Sequence, residues 1–485
     1  MCLLPDGAEH AARRTTIEIR DGRIAGLHEP DAAPAAAPGD RVIDGRRHLV
    51  ASGFVNCHTH SPDNLIRGSA PDLPLELWSL HSAAGREERS PREITVAALL
   101  GAIEMLRTGT TTVLDHIRMS PHPTPEGLEA VAQAYAAIGI RAVIAPIVAD
   151  KPIVQTLPLD PDDIPPNGGG SYGRAPLMPW TEQLAIVEAF VRRWHGGEGG
   201  RITAAIGPSG PQRCSDPLLA AAAELSERHD IVLHAHVLET RAQRAMGFRL
   251  WGKGMVRSLA ERGILSPRAN LVHFIWLEDG DLDLVARHGA AVVHNPVSNA
   301  RLGSGICRLP EMLARGLRIG LGTDSACCND SNNLLETAKW ASMVHANTTP
   351  DHADWVGPYR AHALATRGGA DVLGLGSVTG RIEAGLAADL VLYRLDAPAF
   401  VPLIDPVRQL VHAENGASVD TVLVAGEVVL ENGRCTRLDE VALWQEAEDL
   451  ARRRLEANRS IYAAASELSG PVQRMIRRLQ GEDAR

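Results

Sequence analysis

The sequence contains no long apolar run and no surplus of positive charge. No stretch approaches the roughly 18 apolar residues that a membrane-spanning helix needs, and the apolar part of the N-terminus is too short for a signal peptide. The formal net charge is −10 and no basic cluster stands out, which argues against a nucleic-acid or anionic-membrane surface. We therefore expect a cytoplasmic protein without nucleic-acid or membrane partners.

Paired cysteines and aromatic residues are scarce as well. The seven cysteines show no zinc-finger spacing, and in a long acidic chain they are expected to be free thiols. The neighbours Cys327 and Cys328 are more typical of packing than of redox chemistry. Because aromatic residues make up only 4% of the chain, an aromatic side chain at a site would carry information about the ligand.

Between about residues 50 and 375, short apolar runs alternate with longer helical segments. Eight of the runs have the length and composition of buried parallel strands. They are SGFVNC, TTTVLDH, RAVIAPIVAD, RITAAIGPS, IVLHAH, NLVHF, AAVVHNP and RIGLGTDS. The alternation predicts an α/β fold in which the strands form a (β/α)8 TIM barrel.

Both ends of the chain have β patterns instead. The Asp21-Gly22 turn between two short runs predicts a hairpin. We predict a small composite β-sandwich domain built from residues 1–50 and 376–437, on either side of a barrel of residues 51–375 in the chain. We predict that the small domain lacks a β-strand at its very start. Residues 438–485 predict a charged helical segment, and the Pro- and Gly-rich stretch from Lys151 to Pro179 predicts a loop over the barrel mouth.

Residues at the carboxyl ends of the strands carry the chemistry of a parallel barrel. Strand one ends with His58 and His60, which share one face because side chains alternate along a strand. A lone histidine at such a position is more often a hydrogen-bonded turn residue than a ligand. The other strand ends contribute His234, His236 and Glu239 on strand five, His273 on strand six, His294 on strand seven and Asp324 on strand eight.

Taken together, the strand ends indicate a metal site. Strands one, five, six and eight offer histidines and Asp324, whereas His234 and His294 keep the ordinary structural interpretation. Neutral imidazoles with one carboxylate suit zinc or iron(II), while harder cations prefer oxygen ligands. Strand four ends without a lysine, which in carbamylated form could bridge two metal ions. We therefore expect a single metal with positions open to water.

Glu239 is a candidate for proton transfer. It lies three residues past His236, and a helical turn there would direct it into the same cavity. A carboxylate beside a metal-activated water can carry protons to a substrate nitrogen. The competing interpretation is a glutamate at a helix N-terminus, where the macrodipole favours it.

Several stretches around these residues resemble the amidohydrolase superfamily, and within it the mononuclear-metal deaminase and chlorohydrolase group. That group includes cytosine, guanine and S-adenosylhomocysteine deaminases and the triazine hydrolases. The matching stretches run from about residue 15 to 435 and are GFVNCHTH, MLRTGTTTVLDH, HAHVLET, LVHF, NPVSNARLGSG, GTDSACCNDSNN and GRIEAGLAADLVLY.

The resemblance implies a role for each residue of the predicted site. It implies one divalent metal, zinc with iron(II) as the alternative, bound by His58, His60, His236 and Asp324. It also implies that His273 holds or deprotonates the attacking water, that Glu239 shuttles protons, and that Asp324 takes part in proton transfer. Relatives are commonly dimers or larger, so a homo-oligomer is expected.

The implied reaction is hydrolytic deamination of a small aminated N-heterocycle, such as a pyrimidine, purine, pterin or triazine. Hydrolytic dechlorination of a triazine-like ring is the alternative, and chloride needs no proton to leave. The stretches CCNDSNN and VSNARLGSG are closer to the triazine hydrolases, and the loop GPSGPQRCSD lacks the histidine of many adenosine-type members. A non-catalytic scaffold is disfavoured, because every implied metal ligand is present.

The predicted substrate-binding residues lie in loops at the barrel mouth. The loop after strand one should cover the pocket, although ordinary loop packing is the alternative for its residues. Gln212, after strand four, has the amide groups to read the edge of a ring. The full predicted set is Asn64, Leu65, Trp78, Gln212, Asn299 and Ser325.

Overall fold

The computed structural model describes residues 1–6, 9–84, 88–160 and 177–482. Its mixture of helices and strands confirms the predicted α/β class, while the predicted loop from Lys151 to Pro179 lies partly outside the described residues. The strands in chain order are β1 Cys2–Asp6, β2 Glu9–Arg13, β3 Thr16–Arg20, β4 Arg23–His28, β5 His48–Ser52, β6 Phe54–Thr59, β7 Thr110–Asp115, β8 Arg141–Ile144, β9 Ile147–Val148, β10 Ile202–Ala204, β11 Gly207–Pro208, β12 Leu233–Val237, β13 Ala269–His273, β14 Ala291–His294, β15 Arg318–Leu321, β16 Leu390–Arg394, β17 Val419–Val424, β18 Glu427–Glu431 and β19 Arg434–Cys435.

The longer helices lie mostly between these strands. The α-helices of six or more residues in the described ranges are Leu75–Ala84, Pro91–Arg107, Pro125–Ile138, Trp180–Trp194, Asp216–His229, Arg241–Trp251, Met255–Glu261, Asp281–His288, Pro296–Arg301, Leu309–Ala314, Leu334–Met343, Gly357–Ala363, Pro406–His412, Glu440–Ala457 and Arg459–Glu482. Their first turns are encoded locally. Ser90 and Glu93 form a reciprocal capping box at the start of Pro91–Arg107, and Ser215 caps the helix Asp216–His229 with its side chain.

Two four-stranded sheets contain the eight predicted apolar runs. One sheet has the order β10-β8-β7-β6 and the other the order β12-β13-β14-β15, and the pairs within each are parallel. A parallel bridge between Ile206 and Leu233 joins the two sheets on one side. On the other side, the Asp324 N–H donates to the His58 carbonyl at 2.9 Å. The carboxyl ends of the strands therefore meet at one face, which is where a site can form.

A seven-stranded sheet combines strands from both ends of the chain. Its order is β19-β18-β17-β16-β5-β1-β2, and β1 pairs with β5 in parallel. The predicted lack of a first strand is therefore wrong. Pro5 conceals β1 in the sequence, because a proline cannot donate to a strand ladder and argues against a strand. The predicted hairpin around Asp21 forms as β3 and β4, which make a separate two-stranded sheet.

A buried ion pair connects β8 to the seven-stranded sheet. Arg141 Nε lies 3.0 Å from Asp389 Oδ2, and the two side chains are 3% and 0% exposed. A second contact of 3.2 Å joins the Arg141 guanidinium to Asp389 Oδ1, which also accepts from the Ala425 N–H at 2.7 Å. Because an unpaired charge inside a protein costs several kcal/mol, this pair ties the two sheets together.

The helix Arg459–Glu482 packs against the helix Leu75–Ala84. The apolar cluster between and around them contains Leu77, Leu80, Val154, Leu159, Ala242, Leu468, Val472, Met475, Ile476 and Leu479. All seven cysteines are unpaired. Within the described ranges, no helix has the length and apolar character needed to cross a membrane.

Candidate active site

Two histidines stand at the carboxyl end of β6. His58 and His60 are 0% and 7% exposed, and their ring centroids are 4.7 Å apart. The alternation of the strand turns both rings to one face. There they meet His236 from β12, whose ring lies 5.1 Å from that of His58 and 5.3 Å from that of His60.

Backbone carbonyls determine which ring nitrogens face the cluster. His60 Nδ1 lies 2.6 Å from the carbonyl oxygen of His116, and His236 Nδ1 lies 2.5 Å from that of Ser209. A carbonyl only accepts, so each Nδ1 carries the proton and each Nε2 keeps a lone pair. The two Nε2 atoms are 3.3 Å apart. Two nitrogens bound to one zinc ion at a tetrahedral angle lie roughly 3.3 Å apart, so the pair fits a shared metal ion.

A carboxylate and a third imidazole complete the ligand set. Asp324 Oδ1 lies 3.4 Å from the Nε2 atoms of both His58 and His60. His58 Nε2 is buried without a hydrogen-bond partner in the described residues, and its Nδ1 lies 2.8 Å from His234 Nε2. Asp324 has a φ of 63°, a conformation that is costly outside glycine and that often marks functional sites. Three imidazoles and one carboxylate can thus hold a divalent cation.

His273 ends β13 and is oriented by Asn299. Its Nδ1 lies 2.8 Å from Asn299 Oδ1 and 3.3 Å from Asn295 Nδ2, and the shorter contact has Nδ1–H donating to Asn299. His273 Nε2 is then a proton acceptor, 3.5 Å from Glu239 Oε2 and 3.9 Å from Asp324 Oδ2. The φ of His273 is 72°, so a second residue of the site has a strained backbone conformation.

A left-handed residue turns the chain after β12 and directs Glu239 into the cleft. Leu238 has a φ of 54°, and the Glu239 N–H donates to Gln243 Oε1 at 2.9 Å. The helix Arg241–Trp251 begins only after its N-cap Thr240. Glu239 therefore precedes the helix, and its direction comes from this left-handed turn rather than from the helical turn considered from the sequence.

Burial separates the pKa values of the acid and the base. Burial, with the charges of Asp324 and Glu76, raises the pKa of Glu239 well above its usual value. Burial lowers the pKa of His273 to about 4. Burial and the neighbouring imidazoles also lower the pKa of His236 well below its usual value. Burial thus favours the protonated form of Glu239 and the neutral forms of the two histidines, which suits a proton donor, a proton acceptor and a metal ligand.

His116 and His234 enlarge the cluster beyond the predicted ligands. His116 follows β7, and neither of its ring nitrogens has a hydrogen-bond partner in the described residues. Its ligand atom lies within 4.8 Å of those of His58, His60 and His236. The run TTTVLDH contained this signal, because His116 ends a predicted strand in the same way as the other histidines. His234 Nε2 lies 2.8 Å from His58 Nδ1, a contact that agrees with a hydrogen-bonded structural residue.

The cleft beside the histidines has a volume of about 110 Å³. Trp78 and Gln212, two of the predicted substrate-binding residues, line it. The Trp78 indole donates to the Cys327 carbonyl at 2.8 Å, which fixes the ring, and Gln212 Oε1 is buried without a partner in the described chain. Polar lining residues that the sequence analysis did not single out are Glu76, Ser79, Arg118, Thr156, Ser209, Arg213, Thr240 and Gln243.

The other four predicted substrate-binding residues lie outside the lining of this cleft. Asn64 Nδ2 donates to two backbone carbonyls at 2.9 and 3.0 Å, and Leu65 belongs to the main hydrophobic core. Asn299 orients the histidine of β13. Ser325 Oγ donates to Asp63 Oδ2 at 2.6 Å. Loop position alone did not reveal these internal contacts, which already occupy the side chains.

Imidazoles, a carboxylate and a buried proton donor at the carboxyl ends of parallel strands define a metal-dependent hydrolase. The amidohydrolase family model matches residues 49–429. The 5-methylthioadenosine/S-adenosylhomocysteine deaminase of Desulforudis audaxviator is 33% identical over 442 residues, which cover 91% of this chain and 95% of that protein. The 5'-deoxyadenosine deaminase of Methanothermobacter thermautotrophicus is 33% identical over 461 residues, which cover 94% and 96%.

Solved structures agree with this match. A zinc-bound adenosine deaminase from Xanthomonas campestris has a TM-score of 0.79 at 25% identity, covering 92% of this chain and 94% of that one. A zinc-complexed atrazine chlorohydrolase from Arthrobacter aurescens has a TM-score of 0.83 at 25% identity, covering 93% and 98%. The chain belongs to the amidohydrolase family. The predicted family, the hydrolysis of carbon–nitrogen bonds in cyclic amidines and the metal-binding character are confirmed.

Proposed function

We propose that the protein is a metal-dependent hydrolytic deaminase that converts an aminated N-heterocycle and water into the hydroxylated ring and ammonia. The observation that carries this proposal is the convergence of Glu239, His273 and Asp324 beside three imidazoles in one cleft. The deaminases among the relatives support the same reaction. In particular, we propose an adenine nucleoside as substrate, although the loop after strand four lacks the histidine of many adenosine-type members.

We assign the metal to His58, His60, His236 and Asp324. The facing lone pairs of His60 and His236 support this assignment, and the zinc in two structural neighbours favours zinc over iron(II). A divalent cation there supplies Lewis acidity, which brings the pKa of water toward about 7.

The residues of the chain then divide the proton transfers. Asp324 and His273 accept the proton of the attacking water, since His273 Nε2 is an unprotonated acceptor directed into the cleft. Glu239 donates a proton to the ring nitrogen, which makes the adjacent carbon electrophilic. Asp324 returns a proton to the leaving amino group, which departs as ammonia, and the ring nitrogen returns its proton to Glu239 to leave the hydroxylated ring. Trp78 and Gln212 contact the ring from the cleft wall.

Hydrolytic dechlorination is the second candidate. The likeness to atrazine chlorohydrolase favours it, and the same water-activating residues would serve. Chloride leaves without a proton, so Asp324 would have no proton to return in the leaving step of that reaction. Protonation of the ring nitrogen by Glu239 would serve both reactions, and the deaminases among the relatives favour the amine.

The test is ammonia release by the zinc-loaded protein from adenine nucleosides, with aminated pyrimidines, pterins and triazines in parallel. Chloride release from a chlorotriazine tests the second candidate. His236→Ala serves as the control, since contaminating activity would survive this variant. We expect ammonia from at least one adenine nucleoside. Chloride release without ammonia from any ring would refute the proposal.

The architecture proposed with this function is a closed (β/α)8 barrel of residues 51–375. The Ile206–Leu233 bridge and the Asp324–His58 backbone hydrogen bond support closure. Residues 1–50 and 376–437 form the composite β-domain and residues 438–485 the helical segment. We also propose a homo-oligomer, which light scattering would test.

A further inference from the structure

Arg213 is held rigidly at the rim of the cleft. It ends the short helical turn Pro211–Arg213, and its N–H donates to the Gly210 carbonyl at 2.8 Å. Its own carbonyl accepts from the backbone N–H groups of Asp150 and Lys151 at 3.3 and 3.2 Å. The loop after β11 is thus pinned to the loop after β9, and the Arg213 side chain lines the cleft beside Gln212, His236 and Glu239.

The guanidinium of Arg213 has no anionic partner among the described residues. Its Nε is buried without a hydrogen bond, and burial lowers the pKa of the group. A backbone hydrogen bond holds Asp150 near Arg213. Both carboxylate oxygens of Asp150, however, accept hydrogen bonds from Ser215, at 2.7 and 2.5 Å. Among the described residues, no carboxylate therefore compensates this cation at the wall of the cleft.

Arg213 is half-buried, and two more deeply buried arginines of the chain show what a guanidinium removed from water requires. Arg141 is paired with Asp389 through two contacts of 3.0 and 3.2 Å. Arg454 contacts Glu93 Oε1 at 2.5 and 3.0 Å. Removing a charge from water is costly unless a partner compensates for it. At Arg213, the cleft is where that partner can enter.

The carboxyl groups of the cleft wall do not compete strongly with a ligand anion for Arg213. Burial raises the pKa of Glu76, and Glu76 Oε1 accepts from the Thr240 hydroxyl at 2.5 Å. Burial, with the charges of Asp324 and Glu76, also raises the pKa of Glu239. Neither carboxyl forms an ion pair with Arg213 in the described structure. Gln212, next to Arg213, adds an unpartnered amide oxygen, which can accept from an N–H or O–H of a ligand.

We propose that Arg213 binds an anionic group, a carboxylate or a phosphate, on the tail of the heterocyclic substrate. The inference rests on the proposed deaminase function and narrows its substrate class to nucleosides or related rings with a negatively charged tail. Arg213 lies four residues past Ser209, whose carbonyl holds His236, so its Cα is at most roughly 14 Å from that of Ser209. A tail on a ring bound beside His236 can therefore reach Arg213, which lines the same cleft.

Two adenine nucleosides and one adenine nucleotide separate the possibilities. 5'-Deoxyadenosine has a neutral tail, S-adenosylhomocysteine carries a carboxylate and adenosine 5'-monophosphate carries a phosphate. With the zinc-loaded protein, we expect one anionic compound to have a higher kcat/KM than 5'-deoxyadenosine. In Arg213→Gln, its KM should rise about 10- to 100-fold, as expected for a charged hydrogen bond, while 5'-deoxyadenosine changes less than about twofold.

Two variants complete the experiment. Arg213→Lys retains the charge, and since lysine binds phosphate as a point charge but lacks the planar fork that matches a carboxylate, it should rescue the phosphate compound better than the carboxylate compound. Arg192→Gln removes an arginine whose side chain is 69% exposed and should change none of the constants. Equal losses for neutral and anionic substrates in Arg213→Gln, or a preference for 5'-deoxyadenosine in the unaltered protein, would overturn the inference.

Turnover of any adenine nucleoside tests the deaminase proposal separately from the role of Arg213. If no nucleoside is deaminated, calorimetric titration with adenosine 5'-monophosphate and S-adenosylhomocysteine still decides the anion site. Binding by the unaltered protein that weakens about tenfold or more in Arg213→Gln supports it. Equal affinity in both proteins, or no binding of either compound, refutes it.

Discussion

Replacing Glu239 by glutamine removes a proton donor with almost no change of shape. The carboxyl is 3% exposed, its Oε2 lies 3.5 Å from His273 Nε2, and its Oε1 accepts from the Ser304 hydroxyl at 3.4 Å. Glutamine keeps an oxygen for Ser304 but cannot release a proton to the substrate. General acid catalysis contributes about 10²- to 10⁴-fold, which corresponds to about 3–5 kcal/mol of activation free energy. We expect the kcat/KM for ammonia release to fall by this factor.

Two further measurements separate this effect from damage to the site. Glu239 belongs to neither group of potential metal ligands, so the zinc content of the variant should equal that of the unaltered protein. Urea unfolding should show no loss of stability, because the substitution removes a carboxyl whose ionisation is opposed by burial and by Asp324 and Glu76. Unchanged ammonia release with zinc bound would refute the role of Glu239. Glu446→Gln, at a surface pair with Arg92, is the matched control.

Three other predictions address the metal, the sheet contact and a buried acid. Dialysis against a chelator should abolish ammonia release, and added zinc should restore it. Metal analysis of His236→Ala should show an affinity for zinc at least tenfold weaker, because an imidazole ligand is lost. Asp389→Ala should lower the free energy of unfolding in urea by about 3–5 kcal/mol, since Arg141 would remain buried without its partner; a loss below 1 kcal/mol would contradict the importance of the pair. Burial raises the pKa of Asp115 to about 6 in the folded protein, whereas in the unfolded chain the same carboxyl loses its proton above about pH 4. The folded protein therefore loses stability as the pH rises from 4 to 6. Asp115→Asn should remove this loss, so that its stability relative to the unaltered protein rises by about 3 kcal/mol between pH 4 and 7; parallel curves would contradict it.

The strand ends were the part of the site that the sequence could predict. His58 and His60 alternate on one strand, and a period of two determines the face on which side chains lie without knowledge of distant contacts. Asp324 likewise follows directly from a short apolar run. The structure brings these residues together with His236 because the carboxyl ends of parallel strands meet at one face.

Residues in loops were harder to predict, because their directions depend on turns and on distant partners. Asn64 was expected to face the substrate, but its amide is used by backbone carbonyls and by Asn332. Glu239 enters the cleft through the left-handed conformation of Leu238, which nothing in a leucine encodes. Arg213 could not be singled out from the sequence, because only the three-dimensional structure shows that no carboxylate among the described residues pairs with it.

The packing of Arg459–Glu482 against Leu75–Ala84 has a consequence for changing the specificity of this enzyme. Trp78 and Glu76 form part of the cleft wall, and the helix that carries them rests on apolar side chains such as Leu468 and Met475. Substitutions at those two positions would shift the wall without contacting the ligand. A mutant library aimed at new substrates should therefore sample this remote support together with the wall itself.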